Sequence, residues 1–240
     1  MGMVALGGYV RLEKAGLSMV KWDLSRVKAP SSREEWEKEF EEYKANCPQY
    51  KNDFPNMNLD EFIYIYKLEH YHRQLGKLLG LVFAVPFVTF LSLGYLRKKI
   101  IITSLIASGL GACQGVVGWW MVKSGLKDNL GEDYKKNNVK VSQYRLAFHF
   151  TMSVFIYSIL LRTGLFLVSK PQILKAGMEH ISSNTIVRKK LLISFHFALA
   201  TLIWGAFMAG TDAGKITNNF PKMGDIWYPG REHFYMTPVW

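Results

Sequence analysis

Leu68-Glu69-His70-Tyr71-His72-Arg73-Gln74-Leu75-Gly76 runs directly into an apolar stretch from Leu78 to Leu96. That stretch decides the fold class, because ~20 apolar residues are what an α-helix needs to cross a bilayer. It also sets a carboxylate and two imidazoles at the mouth of a membrane segment, where ionisable side chains are costly and mark functional sites. On a helix Glu69 and His72 stand three apart and share a face, which Gly76 and Gly80 continue downward at four-residue steps. His70 lies roughly 200° round the helix from His72 and points elsewhere. The face therefore offers a ligand with flat space beneath it. Two readings fit: a seat for a bulky planar cofactor, or a GxxxG helix contact capped by a hydrogen-bonded interfacial histidine.

Composition supports a membrane protein throughout. The chain is 49% hydrophobic and 14% aromatic, with 30 Lys+Arg against 19 Asp+Glu. Charge gathers in residues 11–60 and in a few loops, while several long stretches carry almost none. This segregation fits a polytopic helical bundle and not a soluble domain. A net charge of +11 could suggest nucleic acid, but no basic helix with interleaved aromatics is present. Arg97-Lys98-Lys99 and Arg188-Lys189-Lys190 flank apolar runs, where membrane topology accounts for them. Cys47 is in the polar N-terminal region and Cys113 inside an apolar segment, so no disulfide is expected, and neither has zinc-type spacing. No cleavable signal or transit sequence is visible, and Met1 to Gly8 reads as the tail of a membrane helix.

Taken in order, residues 9–60 read as an outer-side loop with an amphipathic helix. Ser31 or Ser32 caps that helix, acids follow in its first turn, and it stops before Pro48. Trp36, Phe40 and Tyr43 give it one aromatic edge, expected to lie on the membrane surface. Asn58 caps the next helix, which Pro86 is placed to kink. Membrane spans are expected at about 74–96, 100–122, 143–168 and 190–210, with polar loops between them and an outer-side loop over 211–240. Gly111, Gly115 and Gly118 give the second span a small-residue face, and Gln114 puts an amide inside the membrane, chiefly as an interhelical hydrogen bond. Trp119-Trp120 closes that span as an interfacial pair.

The two basic links face the cytoplasm or mitochondrial matrix by the positive-inside rule. His72 and His149 then both enter from the outer side, on helices running in the same direction, and lie at similar depth. His196 starts near the inner side, roughly 20 Å deeper; His180 and His233 fall in loops. Only His72 and His149 make a pair. Two facing histidines from different helices of a bundle are the usual way to hold haem by both axial positions. Arg73 and Arg145, near the outer interface, would meet haem propionates, or else snorkel to the headgroups.

Five motifs resemble the haem A synthase family. They are Gly7-Gly8-Tyr-Val-Arg11-Leu-Glu-Lys-Ala-Gly16-Leu-Ser18, Glu69-His-Tyr-His72-Arg73, Gln114-Gly-Val-Val-Gly-Trp-Trp-Met-Val-Lys-Ser-Gly125, Ser142-Gln-Tyr-Arg-Leu-Ala-Phe-His149, and Gly205-Ala-Phe-Met-Ala-Gly210-Thr-Asp-Ala-Gly214 with Asn219-Phe-Pro-Lys-Met-Gly224. They follow in order over essentially the whole chain, and the Pro30–Tyr43 insertion is similar to that of the mitochondrial and alphaproteobacterial branch. The resemblance implies an eight-helix membrane fold in two four-helix halves, of which this chain carries the tail of one helix plus four complete spans. It implies an oxidoreductase that turns a ring methyl of haem O into the formyl of haem A for cytochrome c oxidase assembly. His72 and His149 would hold the substrate haem and Glu69 would be catalytic, as a proton donor or acceptor or by positioning the reacting methyl. The partners implied are haem O synthase and an electron donor such as ferredoxin. The setting implied is the mitochondrial inner membrane or, alternatively, a bacterial plasma membrane.

The departures carry an expectation of their own. Nothing corresponds to the family's last three helices or to the second histidine pair that holds haem b, so the chain reads as an N-terminal portion that works with a C-terminal half or a partner chain. A homo-oligomer is compatible with its small-residue faces. The alternative function is a haem-binding membrane protein or assembly factor without oxidase activity of its own.

Overall fold

Asn58 starts the longest helix with a reciprocal cap. Its side chain accepts from the Glu61 amide, and the Glu61 carboxylate accepts from the Asn58 amide, both at 2.9 Å. The helix that follows, Leu59–Ser92, spans about 51 Å at 1.5 Å per residue, well beyond a hydrocarbon core of about 30 Å. Its first turns therefore stand clear of the bilayer and carry a small aqueous-side layer. The structure, a computed structural model, describes residues 2–23, 27–126 and 140–211 together with positions 219, 222, 226 and 227. Among them the chain is all-helical: α1 (Gly2–Leu12), α2 (Arg33–Asn46), α3 (Pro48–Asp53), α4 (Leu59–Ser92), α5 (Lys98–Gly125), α6 (Gln143–Val168), α7 (Pro171–Ser183) and α8 (Thr185–Thr211). Four of these, α4, α5, α6 and α8, are long and apolar enough to cross a membrane.

The spans pack as a row. α1 lies on α4, α4 on α5, α5 on α6, and α6 on α8. Arg11 at the end of α1 donates to the Gly210 carbonyl at 3.3 Å and so brings the two ends of the row together. At Gly210 a Cβ would stand 2.8 Å from Gln143 Cβ and 3.0 Å from its Cα, so only glycine lets α8 approach the start of α6 this closely. Gly94, two residues past the end of α4, has a φ of 72° that suits glycine; the Tyr95 amide then closes back on the Phe90 carbonyl at 3.0 Å. That stop sets the helix end at Ser92, short of the expected Leu96, and α4 continues through Pro86.

The aqueous-side layer departs from expectation. Ser32 is the cap of α2, in a capping box with Glu35. The aromatic edge of α2 does not lie on the membrane: Trp36, Phe40 and Tyr43 are buried against α4. Trp36 meets Tyr66 edge-on at 5.2 Å between centroids, and Phe40 stacks on Phe62 at 5.0 Å. Each such ring gains about 2 kcal/mol from burial. Cys47 sits fully buried beneath this cluster, and burial pushes its thiol up to about 11, so it stays protonated at neutral pH. Lys14 pairs with Asp53 at 3.0 Å, tying α3 to the turn after α1. At the opposite end, the expected polar loop over 169–187 contains α7, an amphipathic helix. The 211–240 loop falls almost wholly outside the described residues.

Candidate functional site

His72 and His149 lie at one depth. Counted back from the far ends of their helices, His72 is about 30 Å from Ser92 and His149 about 28 Å from Val168. Each is half-buried and seated in the same way. A Cβ on Gly7 of α1 would stand 3.0 Å from His72 Cε1, and a Cβ on Gly118 of α5 would stand 3.1 Å from His149 Cε1. A glycine on the adjoining helix thus receives the edge of each ring. The Nδ1 atoms of both rings are buried without a hydrogen-bond partner among the described residues, and a buried, unsatisfied imidazole nitrogen costs free energy.

Gln114 ties α5 to the same place. Its Nε2 donates to the His149 carbonyl at 2.9 Å and reaches the Ser153 hydroxyl, so the interhelical hydrogen bond expected of it is present. Its Oε1 is a third buried atom without a partner. The expected face of Gly76 and Gly80 divides. A Cβ on Gly76 would stand 3.4 Å from Met3 Cε of α1, which marks a helix contact, while one on Gly80 would meet nothing within 4 Å.

Glu69 is buried and fully engaged. Its Oε2 accepts from the Ser18 hydroxyl at 2.7 Å and the Met19 amide at 2.9 Å, and its Oε1 meets Arg73 at 3.1 Å. Sequence spacing did not reveal these partners, because they come from the segment after α1. Arg73 lies over the Trp22 ring at 4.4 Å. Arg145 repeats the arrangement, over the Trp120 ring at 4.3 Å and donating to the Trp120 carbonyl at 2.7 Å. Both guanidiniums are thus held against tryptophan faces, a geometry that favours protein contact over snorkelling. The other histidines stand apart. His70 is buried and stacks on Tyr66 at 6.3 Å. His196 on α8 is exposed and bonds its own helix at the Leu192 carbonyl. His180 is exposed on α7, and His233 lies outside the described residues.

Among the described residues no three His, Cys, Asp or Glu side chains gather into a metal cluster. Two imidazoles suffice only for a metal that brings its remaining ligands with it, as haem iron does. The glycine seats and the unsatisfied Nδ1 atoms fit such a group.

Compared with known proteins, residues 1–240 match the COX15-CtaA family model, described as cytochrome oxidase assembly protein. The chain belongs to that family. Members of this cytochrome oxidase assembly family similar to it include Heme A synthase COX15 of Arabidopsis thaliana, 44% identical over 99% of this chain and 50% of its own length. Heme A synthase COX15 of Homo sapiens is 38% identical over 99% of this chain and 56% of its own length. Heme A synthase of Parvibaculum lavamentivorans is 38% identical over 99% and 64% respectively. The chain therefore spans about half to two-thirds the length of these relatives. No solved structure matches it.

The glycine seats make a direct prediction. Gly118→Leu drives a side chain into the His149 ring and should lower haem retained by the purified chain about ten-fold, the equivalent of ordinary overpacking. Gly118→Ala, needing only a few tenths of an ångström of adjustment, should lower it less. Absorbance per chain, with helicity checked by circular dichroism, reads both. Equal retention in parent and Gly118→Leu would separate Gly118 from the site.

Proposed function

We propose that this chain is the N-terminal, haem O-binding portion of a haem A synthase. The observation that carries this reading is the matched pair His72 and His149, each seated on a neighbouring helix's glycine with an unsatisfied buried nitrogen. In this reading the two imidazoles hold the substrate by its iron. Arg73 and Arg145, fixed at the same end of the bundle, supply cations for its propionates. The reaction exchanges two hydrogens of a ring methyl for one oxygen in two successive hydroxylations, each using one dioxygen and two electrons from the donor and releasing one water, and the resulting gem-diol loses water to give the formyl of haem A for cytochrome c oxidase assembly. Glu69, one turn before His72, either moves a proton in that chemistry or holds α4 and the post-α1 segment so that the methyl is placed correctly. Haem O synthase, a one-electron donor such as ferredoxin and a haem b site outside this chain complete the proposal. The setting is a mitochondrial inner or bacterial plasma membrane, since similar proteins come from both kinds of source.

A second reading is favoured by one observation, the half to two-thirds span of the relatives' length: haem binding or assembly without oxidase activity by this chain alone. Expression in a strain lacking its own haem A synthase separates the two. Extracted haems should show haem A when a polypeptide supplying the relatives' remaining length is co-expressed, and none without it. Haem O unchanged under both conditions would remove the synthase reading.

A further inference from the structure

At the end of the bundle away from the histidines, α5 and α6 lie side by side. They leave a groove of about 370 Å³ lined by Lys99, Ile106, Phe155, Ile159, Arg162 and Phe166. We propose that this groove binds one anionic phospholipid, its phosphate between Lys99 and Arg162 and an acyl chain along Ile106, Phe155 and Phe166. This site lies apart from the proposed haem site and does not rest on it.

Depth supports the assignment. Arg162 lies about 28 Å along α6 from Gln143, close to the ~30 Å thickness of a hydrocarbon core, and Lys99 lies at the start of α5. Both cations thus meet the headgroup boundary from facing helices. Ile106 on α5 and Phe155 on α6 each lie about 10 Å further toward the bilayer centre. Charge at the mouth and hydrocarbon beneath is the polarity of a lipid, not of a small polar solute.

The hydroxyls in the groove reinforce this. Thr103, Ser158 and Thr163 donate to the carbonyls of Lys99, Val154 and Ile159 on their own helices, so their protons are not offered to a ligand. The charges are unspent. Among the described residues neither Lys99 nor Arg162 forms an ion pair; Lys99 lies only over the Phe166 ring, at 5.4 Å. The surrounding sequence adds Arg97, Lys98, Lys170, Lys175, Arg188, Lys189 and Lys190 against the single acid Glu179, which is 3.9 Å from Lys175. Basic pockets between membrane helices on the positively charged side are where anionic headgroups bind. Snorkelling alone would account for one cation reaching the surface. It does not account for two cations converging on one apolar groove.

The test is native mass spectrometry of the full chain in mild detergent, titrated with dioleoyl-phosphatidylglycerol or with dioleoyl-phosphatidylcholine. The parent should take up one phosphatidylglycerol with about ten-fold preference over phosphatidylcholine. Lys99→Gln/Arg162→Gln should lose that preference, while Lys175→Gln, at the same end but outside the groove, should keep it. Ile106→Trp, which fills the acyl track, should reduce uptake of the first lipid; Ile159→Trp replaces it should circular dichroism show lost helicity. Any of four results overturns the proposal. They are no preference in the parent, preference retained in the double variant, equal loss in Lys175→Gln, and uptake unchanged by a filled groove. A dimer that excludes the lipid would also overturn it, by giving the groove to a second copy of the chain.

Discussion

His72→Ala and His149→Ala should each bring haem retained by the purified chain down to background, while His196→Ala leaves it at the parental level. The expectation rests on position. His72 and His149 share one depth on α4 and α6, and each ring is fixed by a glycine from the next helix. His196 lies about 16 Å from the opposite end of α8, exposed and bonded to its own helix, so it cannot reach that pair. If the two rings hold haem by its iron, removing either one would leave the other to hold it alone. His70→Ala gives a further contrast. It should cost stability, because the ring is buried against Tyr66, but it should leave the haem spectrum unchanged per folded chain. The measurement is absorbance of chain purified with haem supplied, normalised to helicity. Loss in His196→Ala with the other two unaffected would overturn the pairing.

What could be read from the sequence follows the range of the forces involved. The four spans are legible because each apolar run is long enough to cross a bilayer without help from tertiary contacts. The expected pairing of His72 with His149 rests only on helix direction and rise per residue. Gln114 was legible as an interhelical hydrogen bond because a buried amide in a membrane has few alternatives. The docking of Trp36, Phe40 and Tyr43 on α4 was not. An aromatic edge looks the same whether its partner is lipid or protein, and only the length of α4 beyond the bilayer decides between them. The seats at Gly7 and Gly118 were hidden for a related reason, since a glycine shows that space is needed without showing which side chain fills it. α7 could have been found. Ile173, Met178 and Ile181 fall on one side of a helical wheel and Lys175 and Glu179 on the other, the pattern of an amphipathic helix.

Glu69→Ala should destabilise the chain by about 3–5 kcal/mol, because it breaks a buried charge pair from one side. The Ser18 hydroxyl and the Met19 amide would lose their acceptor, and Arg73 would keep its charge against Trp22 with no carboxylate beside it. Removing both partners costs less than removing one, so Glu69→Ala/Arg73→Met should recover much of the loss. A thermal-unfolding cycle over the parent, the two single variants and the double variant measures this coupling. A coupling near zero would mean the pair does not hold the segment in place. The outcome bears on chemistry as well. Ser18 and Met19 follow α1, and α1 carries the glycine that seats His72. A loosened Glu69 anchor therefore reaches His72 through the register of α1, with no proton transferred. Glu69→Gln tells the two roles apart. It keeps an acceptor for the Met19 amide but removes the charge facing Arg73, so a purely structural Glu69 predicts haem loading and turnover falling together in the complete enzyme. A carboxylate that moves a proton predicts turnover falling further than loading, with haem O accumulating.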